Sequence, residues 1–196
     1  MAKVLVAFPA KFELDADAAI AAANLERCEH DLVFAHSDGR GIYGPGPARN
    51  RCVDKALEGG FDYLMMIDSD TIVPANALKL LLDPPAPIVL GIYRYKNSSG
   101  DCPFFKPEAV NGNDKWRFDE VPEGRFEVKA AGLGCALIDT NVFKHLDKPY
   151  YFWQERQTGK HTGEDIWFCN AAKAAGYKIV ADGRVKCQHV GRKVYG

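Results

Sequence analysis

Short apolar runs alternate with helix-like segments through the first half of the chain, and this alternation restricts the fold more than any other feature. Lys3–Phe8 is a β-branched run closed by Pro9, Asp31–Ala35 is a second short strand, Tyr63–Ile67 is a continuous apolar strand and Ile88–Tyr93 is the next. Between them lie three helical stretches. Asp15–Arg27 is Ala-rich with Asp15 available as its cap. A second helix runs from about Ala48 to Leu57, entered through Gly44-Pro45-Gly46-Pro47 and ended by Gly59-Gly60. The third starts at Pro74, runs to about Leu82 and is broken by Pro84-Pro85. Such alternation predicts an α/β layer fold with a mostly parallel central sheet.

The pattern changes after residue 96. Asn97–Gly124 is polar and rich in Gly, Pro and Asn, and predicts loops with small antiparallel strands. A strand at Cys135–Ile138, a short helix over Asp139–Leu146, a helix from about Gly163 to Ala175 ended by Gly176, and final strands at Tyr177–Ala181 and Val185–Gln188 follow. Neither a repeat nor a dividing linker is visible, so the 196 residues are expected to form a single domain, 1–196.

Composition narrows the function classes. Hydrophobic residues at 47% and charged residues at 26% are an ordinary globular balance, against disorder. A formal net charge of −1 gives no bulk field to draw in nucleic acid. The six cysteines are dispersed without a C-x-x-C pair, which predicts reduced, buried thiols and a cytoplasmic setting. Cys187 and His189 lack the second closely spaced ligand pair of a structural zinc site. No run approaches the ~20 apolar residues of a membrane span, so a transmembrane segment is not expected.

The chemistry concentrates at Asp68-Ser69-Asp70, directly after the strand Tyr63–Ile67. In extended backbone, carboxylates two residues apart point to one side, and the carboxyl ends of strands are where open α/β sheets bind ligands. Close carboxylates repel unless a cation lies between them, and a divalent metal carrying a diphosphate meets that need. Further along, Thr162-Gly163-Glu164-Asp165 opens a helix behind the polar loop Gln157–His161. Acids there offset the helix dipole without further duty, yet the loop suits the rim of a site. His189 closes the series, twenty-four residues beyond Asp165.

Taken in order, D-x-D after a middle strand, G-C-A-L-I at Gly134–Ile138, G-E-D opening a helix, G-Y-K-I-V at Gly176–Val180 and a late histidine resemble the family 2 type glycosyltransferases of the GT-A fold. The matching stretches cover most of the chain except the middle loops. The resemblance implies a nucleotide-sugar donor, UDP-sugar ahead of GDP-sugar, and an acceptor hydroxyl on a glycan or other molecule. It implies Mn²⁺ or Mg²⁺ held by Asp70 and His189, with Asp68 on the ribose or a metal-bound water. A carboxylate and an imidazole together favour Mn²⁺. Arg49, Asp38 and Pro9 would lie near the nucleotide. Asp165, with Glu164 as the competing residue, would be the base of an inverting transfer. Glycines in Gly132–Cys135 would leave room for the donor sugar. The chain departs from the family pattern in its brevity beyond His189 and in Ser37-Asp38-Gly39, where a denser acidic cluster is usual.

Two other readings start from the same residues. Leu64–Val73 is close to the D-x-D-x-T strand of haloacid-dehalogenase-type phosphatases, with Asp68 as nucleophile, although Ile72 stands at the Thr position. A non-catalytic nucleotide-sugar-binding module on the same fold is the other.

Overall fold

In the computed structural model, which describes residues 2–9, 14–26, 44–96, 100–109, 114–155 and 161–191 and the backbone of 31–36, the apolar runs become a single central sheet. The first half supplies β1 (Lys3–Phe8), α1 (Ala16–Ala23), β2 (Asp31–His36), α2 (Gly46–Glu58), β3 (Tyr63–Ile67), β4 (Thr71–Ile72), α3 (Ala77–Leu82) and β5 (Ile88–Ile92). The second half supplies β6 (Asp101–Phe105), β7 (Lys115–Arg117), β8 (Arg125–Val128), β9 (Ala130–Ala131), β10 (Cys135–Asp139), β11 (Gln154–Glu155), β12 (His161–Thr162), α4 (Glu164–Ala174), β13 (Ile179–Lys186) and β14 (Gln188–His189).

The sheet has seven strands in the order β2-β1-β3-β10-β5-β13-β8. β2, β1, β3, β5 and β13 run one way, while β10 lies antiparallel between β3 and β5 and β8 antiparallel on the far edge. The sheet is therefore mostly parallel, as expected, with antiparallel strands added. Val4, Val6, Leu64–Ile67, Ile88–Leu90 and Ala136 have no exposure, which is what strands covered on both faces require. A three-stranded sheet β7-β6-β9 forms from the polar middle region.

Local chemistry explains the helices. The Asp15 carboxylate accepts from the Asp17 and Ala18 amides, closing the start of α1. In α2, Arg49, Cys52, Val53 and Ala56 recur at helical spacing and are buried, so the inward stripe carries an arginine. The sequence predicted an earlier start for α3. Pro74–Asn76 is instead a turn, and β4 intervenes after the acidic triplet. The stretch Asp139–Leu146 is tighter than expected, a 3₁₀ helix over Thr140–His145.

The two expected final strands are one. β13 runs through Asp182-Gly183-Arg184 with a register irregularity between Asp182 and Lys186. Gly183 permits this, because a Cβ there would lie 1.8 Å from the Pro122 carbonyl oxygen. Asp182 is fully buried between Arg125 and Arg184, which donate onward to the carbonyls of Leu81 and Asp83 at the end of α3. That network fixes the β8–β13 edge. No helix among the described residues is long and apolar enough to cross a membrane.

Candidate functional site

Parallel strands deliver their carboxyl ends to one rim of the sheet, and β10, running the other way, brings its amino end there. Pro9 lies buried at the end of β1, Asp68 follows β3, Tyr93 follows β5 and Leu133-Gly134 precede β10. The Asp68 amide donates to the Gly134 carbonyl at 2.9 Å, joining the acidic triplet to the entry of β10.

The acidic triplet is not extended. The Thr71 amide donates back to the Asp68 carbonyl at 3.0 Å, so Asp68–Thr71 is a turn and the two carboxylates serve different partners. Asp68 belongs to an inner centre built on Arg49. Arg49 is 1% exposed; its Nη2 donates to Asp68 Oδ1 at 2.8 Å, and its Nε lies 3.3 Å from Asp165 Oδ1 and 3.9 Å from Glu164 Oε1. Burial works against its charge, but the fields of Asp68, Asp165 and Glu164 outweigh that and hold the guanidinium protonated.

Asp165 sits in the first turn of α4, where its Oδ2 accepts from the Leu133 amide at 3.2 Å. Its Oδ1 is buried without a hydrogen bond. Burial pushes this carboxyl up to about 7; Glu164 and Asp68 push the same way, and Arg49 and the Leu133 amide oppose them. Glu164 is also buried, packed beneath the Gly44–Gly46 loop.

Asp70 belongs to an outer pair. β14 pairs with β4, setting His189 opposite Thr71, and the Val190 amide donates to the Asp70 carbonyl. His189 Nε2 lies 3.3 Å from Asp70 Oδ1. Its Nδ1 is 2.9 Å from the Arg94 carbonyl, which can only accept, so Nδ1 carries an N–H and Nε2 is the ring nitrogen turned to Asp70. The Lys96 ammonium pairs with the other Asp70 oxygen, Oδ2. His189 and Lys96 hold Asp70 down at about 2, against a partial burial that raises it. Asp70 and His189 suit adjacent positions on one cation, since neighbouring ligands at about 2.1 Å from an octahedral ion lie about 3 Å apart. Among the described residues no group of three or more His, Cys, Asp or Glu converges on a point.

The structure thus brings Arg49, Asp68, Glu164 and Asp165 together, and separately Asp70 with His189. Asp38 lies outside the described residues. On the side where a Cβ would project, the space at Gly132 and Gly134 is taken by Tyr93. A Cβ at Gly132 would lie 2.4 Å from Tyr93 Oη and one at Gly134 2.8 Å from Tyr93 Cζ. Tyr93 is buried, accepts from the Gly134 amide and packs edge-on against His189. Sequence reasoning missed Tyr93 and Lys96. The signal was the alternation Tyr93-Arg94-Tyr95-Lys96 at the end of β5, which sends one side chain inward and a cation outward.

No protein-family profile matches the chain, and no curated protein matches it in sequence. Solved structures do match in fold. A197 from STIV superposes with a TM-score of 0.69 at 16% identity, covering 98% of this chain and 87% of its own. GalNAc-T7, solved with UDP, GalNAc and Mn²⁺, superposes with a TM-score of 0.65 at 12% identity over 98% of this chain. The chain spans 44% of the GalNAc-T7 chain, less than half its length. The architecture is that of GT-A glycosyltransferases.

Proposed function

We propose that the chain is a metal-dependent glycosyltransferase that moves a sugar from a nucleotide-sugar, with a UDP-sugar ahead of a GDP-sugar, to an acceptor hydroxyl, and that 1–196 acts as one catalytic domain. The observation that carries this is the division of the carboxylates at one rim of the sheet. One, Asp165, is part-buried and pushed up to about 7, the range of a general base at neutral pH. Another, Asp70, is held at about 2 by His189 and Lys96, an ionised carboxylate with an imidazole nitrogen beside it.

Asp70 and His189 would hold Mn²⁺ or Mg²⁺, which when bound neutralises charge on a diphosphate. Lys96 confines Asp70 to one free oxygen and sets a second positive charge beside the same place. Asp68 and Pro9 lie on the nucleotide side of the rim, and Asp38 is carried as a candidate for the base or ribose. Arg49 acts from below. Its guanidinium faces carboxylates rather than open solvent, so it orients Asp68 and Asp165. Asp165 takes the acceptor proton as the hydroxyl attacks the sugar's anomeric carbon, whose bond to the diphosphate oxygen breaks so that the nucleoside diphosphate leaves from the opposite face, giving inversion. Glu164 is the competing base, although it lies beneath the Gly44 loop.

Incubation with a panel of UDP- and GDP-sugars and Mn²⁺, read as nucleotide release and as calorimetric binding, tests the reading. Metal-dependent binding of UDP with release from at least one sugar is expected. A chain that binds neither nucleotide with the metal present sinks it.

A further inference from the structure

Ile20, Phe152 and Trp153 are the large hydrophobic side chains left exposed among the described residues, and two of them are adjacent beside the acid-bearing helix. Trp153 is 37% exposed yet well seated. Its ring atoms come within 3.8 Å of Cβ positions built on both Gly44 and Gly163, so the indole rests between the loop entering α2 and the residue that caps α4. Gly163 stands two residues before Asp165. His161 lies against the indole with centroids 5.7 Å apart.

The segment behind it is fixed. Asn50 donates to the Tyr151 carbonyl at 2.8 Å and accepts from the Tyr151 amide at 3.1 Å. Phe152 meets Trp167 edge-on at 5.3 Å, and Trp167 helps line a hollow of about 230 Å³ whose other walls include Gln154 and Asn170. Phe152 and Trp153 thus turn two neighbouring aromatic side chains to solvent beside the start of α4. A flat ring with amide groups beside it is what a sugar needs. Its C–H face lies on the ring and its hydroxyls reach the amides.

We propose that Trp153 is the platform on which a sugar ring of the acceptor stacks, so that the acceptor is a glycan, with the hollow beside Trp167 taking its next unit. This rests on the glycosyltransferase reading and names its acceptor class. Glu155, exposed two residues beyond Trp153, disfavours an anionic lipid surface at the same aromatics.

Saturation-transfer NMR with cellobiose, chitobiose, maltose and mannobiose tests it on the full chain, with and without UDP and Mn²⁺. At least one disaccharide is expected to take saturation from the protein. Trp153→Leu should weaken that disaccharide about tenfold, while Trp153→Tyr, which keeps a flat ring, should retain it. UDP binding measured by calorimetry should be equal in all three proteins. Equal sugar binding in the Trp153→Leu protein overturns the proposal, as does no binding of any of the four. Association with phosphatidylcholine–phosphatidylglycerol vesicles that is lost in Trp153→Leu overturns it in favour of a membrane. Failure of UDP to bind the parent protein counts against the transferase reading alone, because the sugar signal is read separately.

Discussion

Two acidic regions lie on the same rim and are built to opposite ends. The inner centre buries one arginine among Asp68, Glu164 and Asp165, and the carboxyl of Asp165 is pushed up to about 7. The outer pair leaves Asp70 part-exposed with two partners, His189 and Lys96, and its carboxyl falls to about 2. The residue type is the same; surroundings decide whether it can give and take a proton or must remain an anion. A site that both binds a cation and moves a proton needs one carboxylate of each kind.

The harshest way to break the comparison is to remove the inner cation. Arg49→Met leaves carboxylates at the inner centre without their counter-charge. A loss of about 3 kcal/mol in stability is expected, at the low end for a broken buried pair because Asp68 and Asp165 keep some solvent. Urea denaturation measures it. An unchanged midpoint would mean the inner centre is not an electrostatic unit.

Next in size is the separation of chemistry from binding. Asp165→Asn keeps the acceptor oxygen toward Leu133 but cannot take a proton. Transfer is expected to fall about a hundredfold or more, with UDP and Mn²⁺ binding near the parental level. The parental rate should rise with pH up to about 7 and then level, as an ionised base requires. Glu164→Gln, measured in parallel, distinguishes the two acids; a parental rate in the Asp165 variant transfers the role.

The outer pair is sharpened by metal titration. Asp70→Ala and His189→Ala should each weaken Mn²⁺-dependent UDP binding by at least about tenfold, without shifting the rate-limiting pH. Equal affinity in both variants by calorimetry removes the cation from this place.

Much of this arrangement is legible in the sequence, and the rest is not for physical reasons. The runs at Val4–Phe8, Leu64–Ile67 and Ile88–Ile92 announce buried strands because apolar continuity is local. The direction of β10 is not local: Cys135–Ile138 reads as a strand, but only pairing with β3 and β5 decides that it runs backwards. Arg49 lies on an inward stripe that Cys52, Val53 and Ala56 reveal, yet its carboxylate partners come from residues 68, 164 and 165. Extended backbone would put Asp68 and Asp70 on one side, but local sequence does not announce the turn that separates them. Glycines 132 and 134 signal a close approach, but the sequence does not say that Tyr93 is what approaches.

The smallest expected effect compares the two regions through pH. A carboxyl at about 7 in the folded chain and about 3.9 unfolded binds an extra proton when folded, so stability falls as pH rises from about 4 to 7. A carboxyl at about 2 does the reverse: its contribution is present above about 4 and is lost as pH falls toward 2. Both groups keep solvent contact, so both effects are modest. Thermal midpoints across pH 3–8 should show Asp165→Asn flattening the neutral side and Asp70→Asn the acid side; identical profiles would erase the contrast.

The backward strand has a consequence for how the molecule is made. β10 fills the gap between β3 and β5, pairing Cys135 with Ile67 and Ala136 with Leu90. Until residues in the 130s are available, the β2-β1-β3 group has no partner on that side, and β5 must wait for both β10 and β13. Loop closure of that length is entropically costly before any contact repays it, so the sheet closes late and cooperatively. The residues just ahead of β10 are Leu133 and Gly134, whose backbone holds Asp165 and Asp68. On a ribosome, then, the strand that joins the two halves of the sheet also brings in the backbone that receives Asp68 and later Asp165, and a chain stalled short of β10 is one with open strand edges.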